Sequence, residues 1–115
     1  MSTITPTITN PEDTNGRCRI ISWTGIAEGD TCAAARLSQF ADRTVQIEGT
    51  FGGATITIEG SLDTVNYHVL TDPQGNAISA GSAKLEAISE LTYDVKPVIT
   101  DGSGSDITVT LLLKE

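Results

Sequence analysis

The strongest constraint on the fold is the alternation of apolar and polar side chains between Arg43 and Ser61. Successive side chains of a strand point to opposite sides, so a period of two indicates a strand that buries one face. Two such runs flank Gly52 and Gly53, which adopt positive φ without steric cost and suit a tight turn. The stretch therefore predicts a β-hairpin whose apolar side is covered by a second sheet. The residues predicted to face that sheet are Val45, Ile47, Phe51, Ala54, Ile56 and Ile58.

Similar strand patterns occur along the rest of the chain, separated by turn signals at a spacing of about ten residues. In 65–70, Val65, Tyr67 and Val69 alternate with Asn66, His68 and Leu70. In 107–114, Ile107, Val109, Leu111 and Leu113 share one face, and Leu112 lies on the other. Further strands are predicted at 17–26, 77–79 and 92–100. The prediction is an all-β, single-domain antiparallel β-sandwich, jelly-roll-like, with seven or eight strands.

Three local features leave the pattern less regular. The connection 32–40 is predicted to be irregular or strand-like and to carry Leu37 and Phe40 into the core. Segment 81–91 fits a strand or loop, although a single helical turn could open at its start. Pro97 cannot donate a ladder hydrogen bond, so it is predicted at a sheet edge or with its nitrogen facing outward.

The first sixteen residues are rich in threonine, contain Pro6 and Pro11, and show no repeated apolar face. Two interpretations stay open for this segment. It is either a floppy terminus or an extended arm that becomes ordered on a neighbouring subunit. We therefore divide the chain into an N-terminal arm, 1–16, and a β-sandwich domain, 17–115.

Charge and composition narrow the classes of partner. The formal charge of −8 argues against nucleic acid, because phosphate binding needs clustered lysines and arginines. No run approaches the ~20 apolar residues of a membrane span, and no signal peptide is expected. Cys18 and Cys32 fit no metal spacing, so two free thiols and synthesis in a reducing cytoplasm are expected.

Few reactive groups could converge on a substrate. His68 is the single histidine and is predicted at the surface, and Cys32 has no second histidine to orient it. The carboxylates around Gly29 and around the 102–105 loop are predicted to be solvated turns rather than metal ligands. We therefore expect no enzyme, with no catalytic, cofactor or metal residues.

Several stretches resemble small structural proteins encoded near the major capsid gene of tailed bacteriophages. The stretches are SWTGIAEGDT, DRTVQIEGTFGGATITIEGS, LTDPQGNAI, AISELTYDVKPVIT and ITVTLLLK, which together span roughly 21–114. The loop after Ser61 and the two cysteines depart from that pattern.

The resemblance implies a virion component, a capsid decoration or cement protein. Such a protein would bind the major capsid protein on the outer surface of the head as an oligomer, with a trimer favoured. Ile4, Ile8, Trp23 and Leu112 are the candidate contact residues. The alternative is a fibre, baseplate or head–tail structural module, with carbohydrate binding as one option.

Overall fold

The chain folds entirely into strands and turns within the residues that the computed structural model describes, 2–9, 18–36 and 42–114. The prediction of an all-β, antiparallel fold is confirmed, and the described ranges contain twelve strands rather than seven or eight. Five strands of seven to nine residues form the framework, and the others have two to four. The strands are β1 (Thr3–Ile4), β2 (Thr7–Thr9), β3 (Cys18–Ile26), β4 (Thr31–Cys32), β5 (Ala35–Arg36), β6 (Asp42–Thr50), β7 (Thr55–Ser61), β8 (His68–Val69), β9 (Ser79–Ala80), β10 (Lys84–Ala87), β11 (Asp94–Thr100) and β12 (Asp106–Lys114).

Most strands belong to two antiparallel sheets. Sheet I has the order β10-β6-β12-β3-β2, and sheet II has the order β5-β11-β7-β8, with β9 also paired to β7. The short strands β1 and β4 pair in parallel beside them. β12 is therefore the central strand of sheet I, although it follows all the others in sequence.

One hydrophobic core takes residues from both sheets, and it follows the predicted alternation. Each of the six side chains predicted to face a second sheet in 45–58 is buried. In β12, Ile107, Val109, Leu111 and Leu113 are fully buried, whereas Leu112 is exposed. Burying apolar surface is the main stabilising contribution to such a fold.

The predicted hairpin at 43–61 is wrong, although both of its strands exist. β6 pairs with β10 and β12, whereas β7 pairs with β11, β8 and β9, so the Gly52–Gly53 turn carries the chain from sheet I to sheet II. The φ angles of these glycines are 58° and 84°, and Ala54 N–H donates to the Phe51 carbonyl at 2.9 Å. The geometry of the turn involves only residues 51–54. It is compatible with a crossing between two sheets as well as with a hairpin.

A second crossing lies beside this turn. Residues 101–105 join β11 of sheet II to β12 of sheet I, and Ser103 N–H donates to the Gly52 carbonyl at 2.9 Å. The Ser105 hydroxyl donates to the Phe51 carbonyl at 2.6 Å. The two crossings thus brace each other at one end of the molecule.

The faces predicted for 65–70 need correction. Only His68–Val69 forms a strand, and Leu70 is buried while Val65 and Val69 are exposed. The reason is that Leu70 N–H donates to the Ile58 carbonyl, which places Leu70 over the core-facing side of β7. His68 is exposed, as predicted.

The remaining local predictions have mixed outcomes. The described segment 81–91 contains strand β10 and no helical turn, in agreement with the prediction of a strand or loop. β5 pairs only with Asp94 and Val95 of β11, whereas β7 pairs along the whole strand. Among the described residues, Pro97 therefore lies where β11 has a strand partner on one side only, in agreement with the predicted sheet edge. Leu37 and Phe40 lie outside the described residues.

The N-terminal residues pair with this chain's own strands. β2 extends sheet I beside β3, and β1 pairs with β4, where Ala33 N–H donates to the Ile4 carbonyl at 2.9 Å. Residues 10–17 lie outside the described ranges, so the boundary at residue 16 stays a prediction.

Candidate interaction surface

The outer face of sheet I carries an uncharged surface across all five strands. Strand register places Leu112 opposite both Ile20 and Thr44. The next row along the strands contains Thr110, whose side-chain oxygen accepts a hydrogen bond from the Ser22 hydroxyl at 3.3 Å. We call these ten residues the uncharged face; they are Ala87, Thr44, Leu112, Ile20 and Thr9 in one row, and Leu85, Gln46, Thr110, Ser22 and Thr7 in the other.

Charged side chains are found at the margins of this face. Asp42 and Lys114 oppose each other in the neighbouring row at one side, and Glu48 lies opposite Thr108 at the other side. The ten outward residues carry no charge, although the chain has a net charge of −8. Depletion of charge is a property of the centres of protein interfaces.

The edge strand β10 has the reverse of the usual polarity. Lys84 and Glu86 lie opposite the fully buried Ile47 and Val45, so they share the core-facing side of the sheet. Leu85 instead points outward and is 67% exposed. Inward charges on an edge strand discourage edge-to-edge pairing, whereas an outward leucine at this exposure adds apolar surface for a partner.

The outer face of sheet II has the opposite character. Lys96 lies across from Glu59 in the ladder and sits 4.2 Å above the ring centroid of Tyr67. The Tyr67 hydroxyl donates to Asp94 at 3.0 Å, and the guanidinium of Arg36 lies over Tyr93. Sheet II therefore has charged and aromatic side chains on its outer side, whereas the ten residues of the uncharged face include neither.

The structure separates the four predicted contact residues. Leu112 is 48% exposed at the centre of the uncharged face, and Ile8 is 56% exposed on the edge strand β2. Ile4 is half-buried and packs against the core. Trp23 is fully buried and donates its indole N–H to the Ala33 carbonyl at 2.8 Å, so its side chain presents no surface to a partner.

A second feature, which the sequence did not indicate, is an open cleft of about 590 Å³ beside β8, here called the β8 cleft. Its walls include the exposed side chains of Leu62 and Val69 and the carboxylates of Asp63 and Glu90. The signal in the sequence that could have indicated it is the apolar Leu62 directly after Ser61, at the start of a loop. The lining residues are Gly60, Ser61, Leu62, Asp63, Asn66, His68, Val69, Leu70, Glu90 and Thr92.

Hydrogen bonds hold the two carboxylates of the cleft in place. Asp63 accepts from the backbone N–H groups of Asn66 and Val65 at 2.8 and 2.9 Å, and these bonds hold its pKa far below the usual range. Glu90 accepts from the backbone N–H of Thr71 at 2.7 Å and from its hydroxyl. Burial raises the pKa of Glu90, but the bonds from Thr71 outweigh it and the net pKa is lowered. Both groups are therefore carboxylates at neutral pH.

The two carboxylates of the turn around Gly29 accept structural hydrogen bonds. The Glu28 carboxylate accepts from the backbone N–H groups of Gly104 and Ser105, each at 3.0 Å. Asp30 accepts from Ala27 N–H and Ser2 N–H. Within 2–9, 18–36 and 42–114, no three histidine, cysteine or carboxylate side chains group as metal ligands.

Both cysteines are free thiols. Burial raises the pKa of Cys32 to about 11. Cys32 therefore carries almost no thiolate near neutral pH, and its thiol is a packed core group. No helix long and apolar enough to span a membrane occurs in the described part of the chain.

Comparison with known proteins adds no assignment. No family model, curated protein or solved structure matches this chain.

Proposed function

We propose that this chain is a structural protein of a tailed-phage virion, a capsid decoration protein that stabilises the head from outside. The observation that carries the proposal is the uncharged face of sheet I, with Leu112 at its centre and Leu85 at its edge. The resemblance of 21–114 to small capsid-associated proteins supports the same class. In this proposal the two sheets form a jelly-roll-like sandwich, with residues 1–16 as the arm.

The dimensions of the face indicate how such a protein would attach. Five strands about 4.8 Å apart, and two outward rows that span about 13 Å along the strands, cover roughly 300 Å². A stable interface buries about 800 Å² on each partner, so one copy attached by this face alone would bind weakly. An oligomer, with a trimer favoured, would present several faces to the shell at once, and avidity would multiply the affinity.

The partner in this proposal is the major capsid protein, at junctions between capsomers on the outer surface. The protein would be made in the cytoplasm of the bacterial host and would join the head there. The net charge of −8 suits an outward position, because like charges keep decorated particles apart in solution.

Cosedimentation with DNA-free expanded heads tests this function. We expect the wild-type protein to pellet with expanded heads, but not with precursor shells or naked DNA. Leu112→Ser and Leu85→Ser should each reduce the bound fraction severalfold, because each removes apolar contact area. Leu62→Ser is the matched control, since Leu62 is also exposed but lies in the β8 cleft.

The proposal fails if the wild-type protein stays in the supernatant with expanded heads. It also fails if Leu112→Ser and Leu85→Ser pellet as the wild type does. Sedimentation velocity of the free protein tests the oligomer separately, and a monomer would remove the avidity argument.

A further inference from the structure

The β8 cleft lies at an unpaired sheet edge. Within the described residues, β8 pairs on one side with β7 and is the terminal strand of sheet II. His68 and Val69 of β8 also line the cleft. An extended peptide can add to such an edge through main-chain hydrogen bonds, while its alternate side chains enter the adjoining cavity.

Aliphatic side chains surround the cleft. Leu62 is 75% exposed and Val69 also faces solvent, and both line the cavity. Leu62 and Val69 are two of the seven large hydrophobic side chains exposed in the described residues, and both contribute apolar surface to this one cavity. Exposed apolar side chains that adjoin one another mark an interaction site more than isolated ones do.

The charge of the cleft selects among peptides. Asp63 and Glu90 line it, and no lysine or arginine does. A cationic side chain entering the cleft would meet two fixed carboxylates, whereas an acidic one would be repelled. The lining contains no tryptophan, tyrosine or phenylalanine ring on which a sugar could stack, which favours a peptide over a carbohydrate.

We propose that the β8 cleft binds an extended peptide segment of another protein in which a lysine or arginine lies between aliphatic residues. The segment adds to the edge of β8, its aliphatic side chains contact Leu62 and Val69, and its cationic side chain lies between Asp63 and Glu90. This site is separate from the uncharged face, which belongs to the other sheet. The inference does not depend on the capsid proposal.

The test measures binding of short, capped, fluorescein-labelled peptides by fluorescence anisotropy. The probe alternates valine with lysine, and matched peptides alternate valine with glutamate or with threonine. We expect the lysine peptide to bind at least about tenfold more tightly than the glutamate peptide at low salt, with the preference shrinking as salt is raised. In amide NMR spectra, the shifts on binding should centre on residues 62–70 and 88–92.

Two variants and two controls locate the site. Leu62→Ser should weaken binding of the lysine peptide about tenfold, because it removes apolar contact at the cleft wall. Glu90→Gln keeps an acceptor for Thr71 N–H and should reduce the preference for lysine over threonine. Leu85→Ser and Glu48→Gln on sheet I should leave binding unchanged.

Equal affinity for the lysine and glutamate peptides would overturn the proposal. Unchanged binding by Leu62→Ser, or shifts confined to the uncharged face, would do the same. Clear hits on a glycan array that Leu62→Ser abolishes would assign the cleft to carbohydrate instead. Because Leu85→Ser and Leu62→Ser act on different sheets, failure here is distinguishable from failure of head attachment.

Discussion

Ser103 donates its backbone N–H to the carbonyl of Gly52 at 2.9 Å, and this contact joins the two crossings between the sheets. The approach is so close that a Cβ on Gly52 would lie 2.1 Å from the Ser103 carbonyl oxygen. Gly53 also has a positive φ, yet a Cβ there would meet nothing within 4 Å. Substituting each glycine in turn therefore separates the cost of a strained backbone, which both positions share, from the cost of a steric clash, which only Gly52 has.

We predict that Gly52→Ala destabilises the fold far more than Gly53→Ala. Gly53→Ala should cost about 1 kcal/mol from the left-handed backbone alone, whereas Gly52→Ala should cost more than about 3 kcal/mol because the crossings must move apart. Urea unfolding followed by the fluorescence of Trp23 measures both. Equal losses would mean that the crossings do not brace each other.

Two adjacent leucines of β12 lie on opposite faces, so their substitutions measure core packing and surface contact separately. Leu111 is fully buried and Leu112 is 48% exposed. Leu111→Ala should cost about 3 kcal/mol because it leaves a cavity, and Leu112→Ala should cost less than about 1 kcal/mol. Urea unfolding gives both values. If Leu112→Ala were as damaging as Leu111→Ala, Leu112 would be a structural residue and not part of a free face.

Acid should weaken the bond between the 27–30 turn and the 101–105 loop. Hydrogen bonds from the backbone, that of Ser105 first, lower the pKa of Glu28 from its ordinary value of 4.5. A carboxylate with a lower pKa in the folded state stabilises the fold above the unfolded pKa, and this contribution is lost as pH falls through the folded pKa. Glu28→Gln should therefore lower the melting temperature at neutral pH, and its difference from wild type should shrink below about pH 4.5.

The measurement is thermal melting of wild type and Glu28→Gln across the acid range. Glu48→Gln, on the outer face of β6, is the control for the loss of one negative charge. A difference between Glu28→Gln and wild type that stays constant with pH would contradict this assignment.

The N-terminal strands should contribute to the stability of this same chain. Ile4 packs against the core, Ser2 N–H donates to Asp30 at 3.0 Å, and β2 extends sheet I. Ile4→Ala should cost about 1–2 kcal/mol, whereas Ile8→Ala on the exposed edge should cost less than about 0.5 kcal/mol. Deleting residues 1–9 should lower the melting temperature by more than Ile4→Ala does. Unchanged melting after the deletion would contradict this prediction and would fit either a floppy terminus or an arm for a neighbouring subunit.

The sequence predicts which side of a strand is buried better than it predicts which strand is its neighbour. The alternation in β6, β7 and β12 identified their buried residues, because side-chain direction is set locally by the strand itself. The Gly52–Gly53 turn was taken for a hairpin because its φ angles fit one. Its actual role depends on the distant Ser103, which no local pattern reveals.

The same distinction explains what could be predicted of the two surfaces. Leu112 stood out as an apolar residue on the outer side of its strand, and the structure places it at the centre of the uncharged face. The charges of β10 are turned toward the core through its register with β6, and that register is set by tertiary packing. The β8 cleft combines segments near residues 60–70 and 90–92, so its shape arises only once these segments meet.

The position of β12 between β3 and β6 constrains how the nascent chain can fold. The ribosome makes β3 and β6 before β12. Until residues 106–114 leave the exit tunnel, the strand that lies between β3 and β6 and pairs with both is missing. During that interval both strands have unpaired edges and exposed isoleucine and valine side chains, which is the state most prone to aggregation. Sheet I can therefore close only after β12 has been made, because β12 pairs with the facing edges of both β3 and β6.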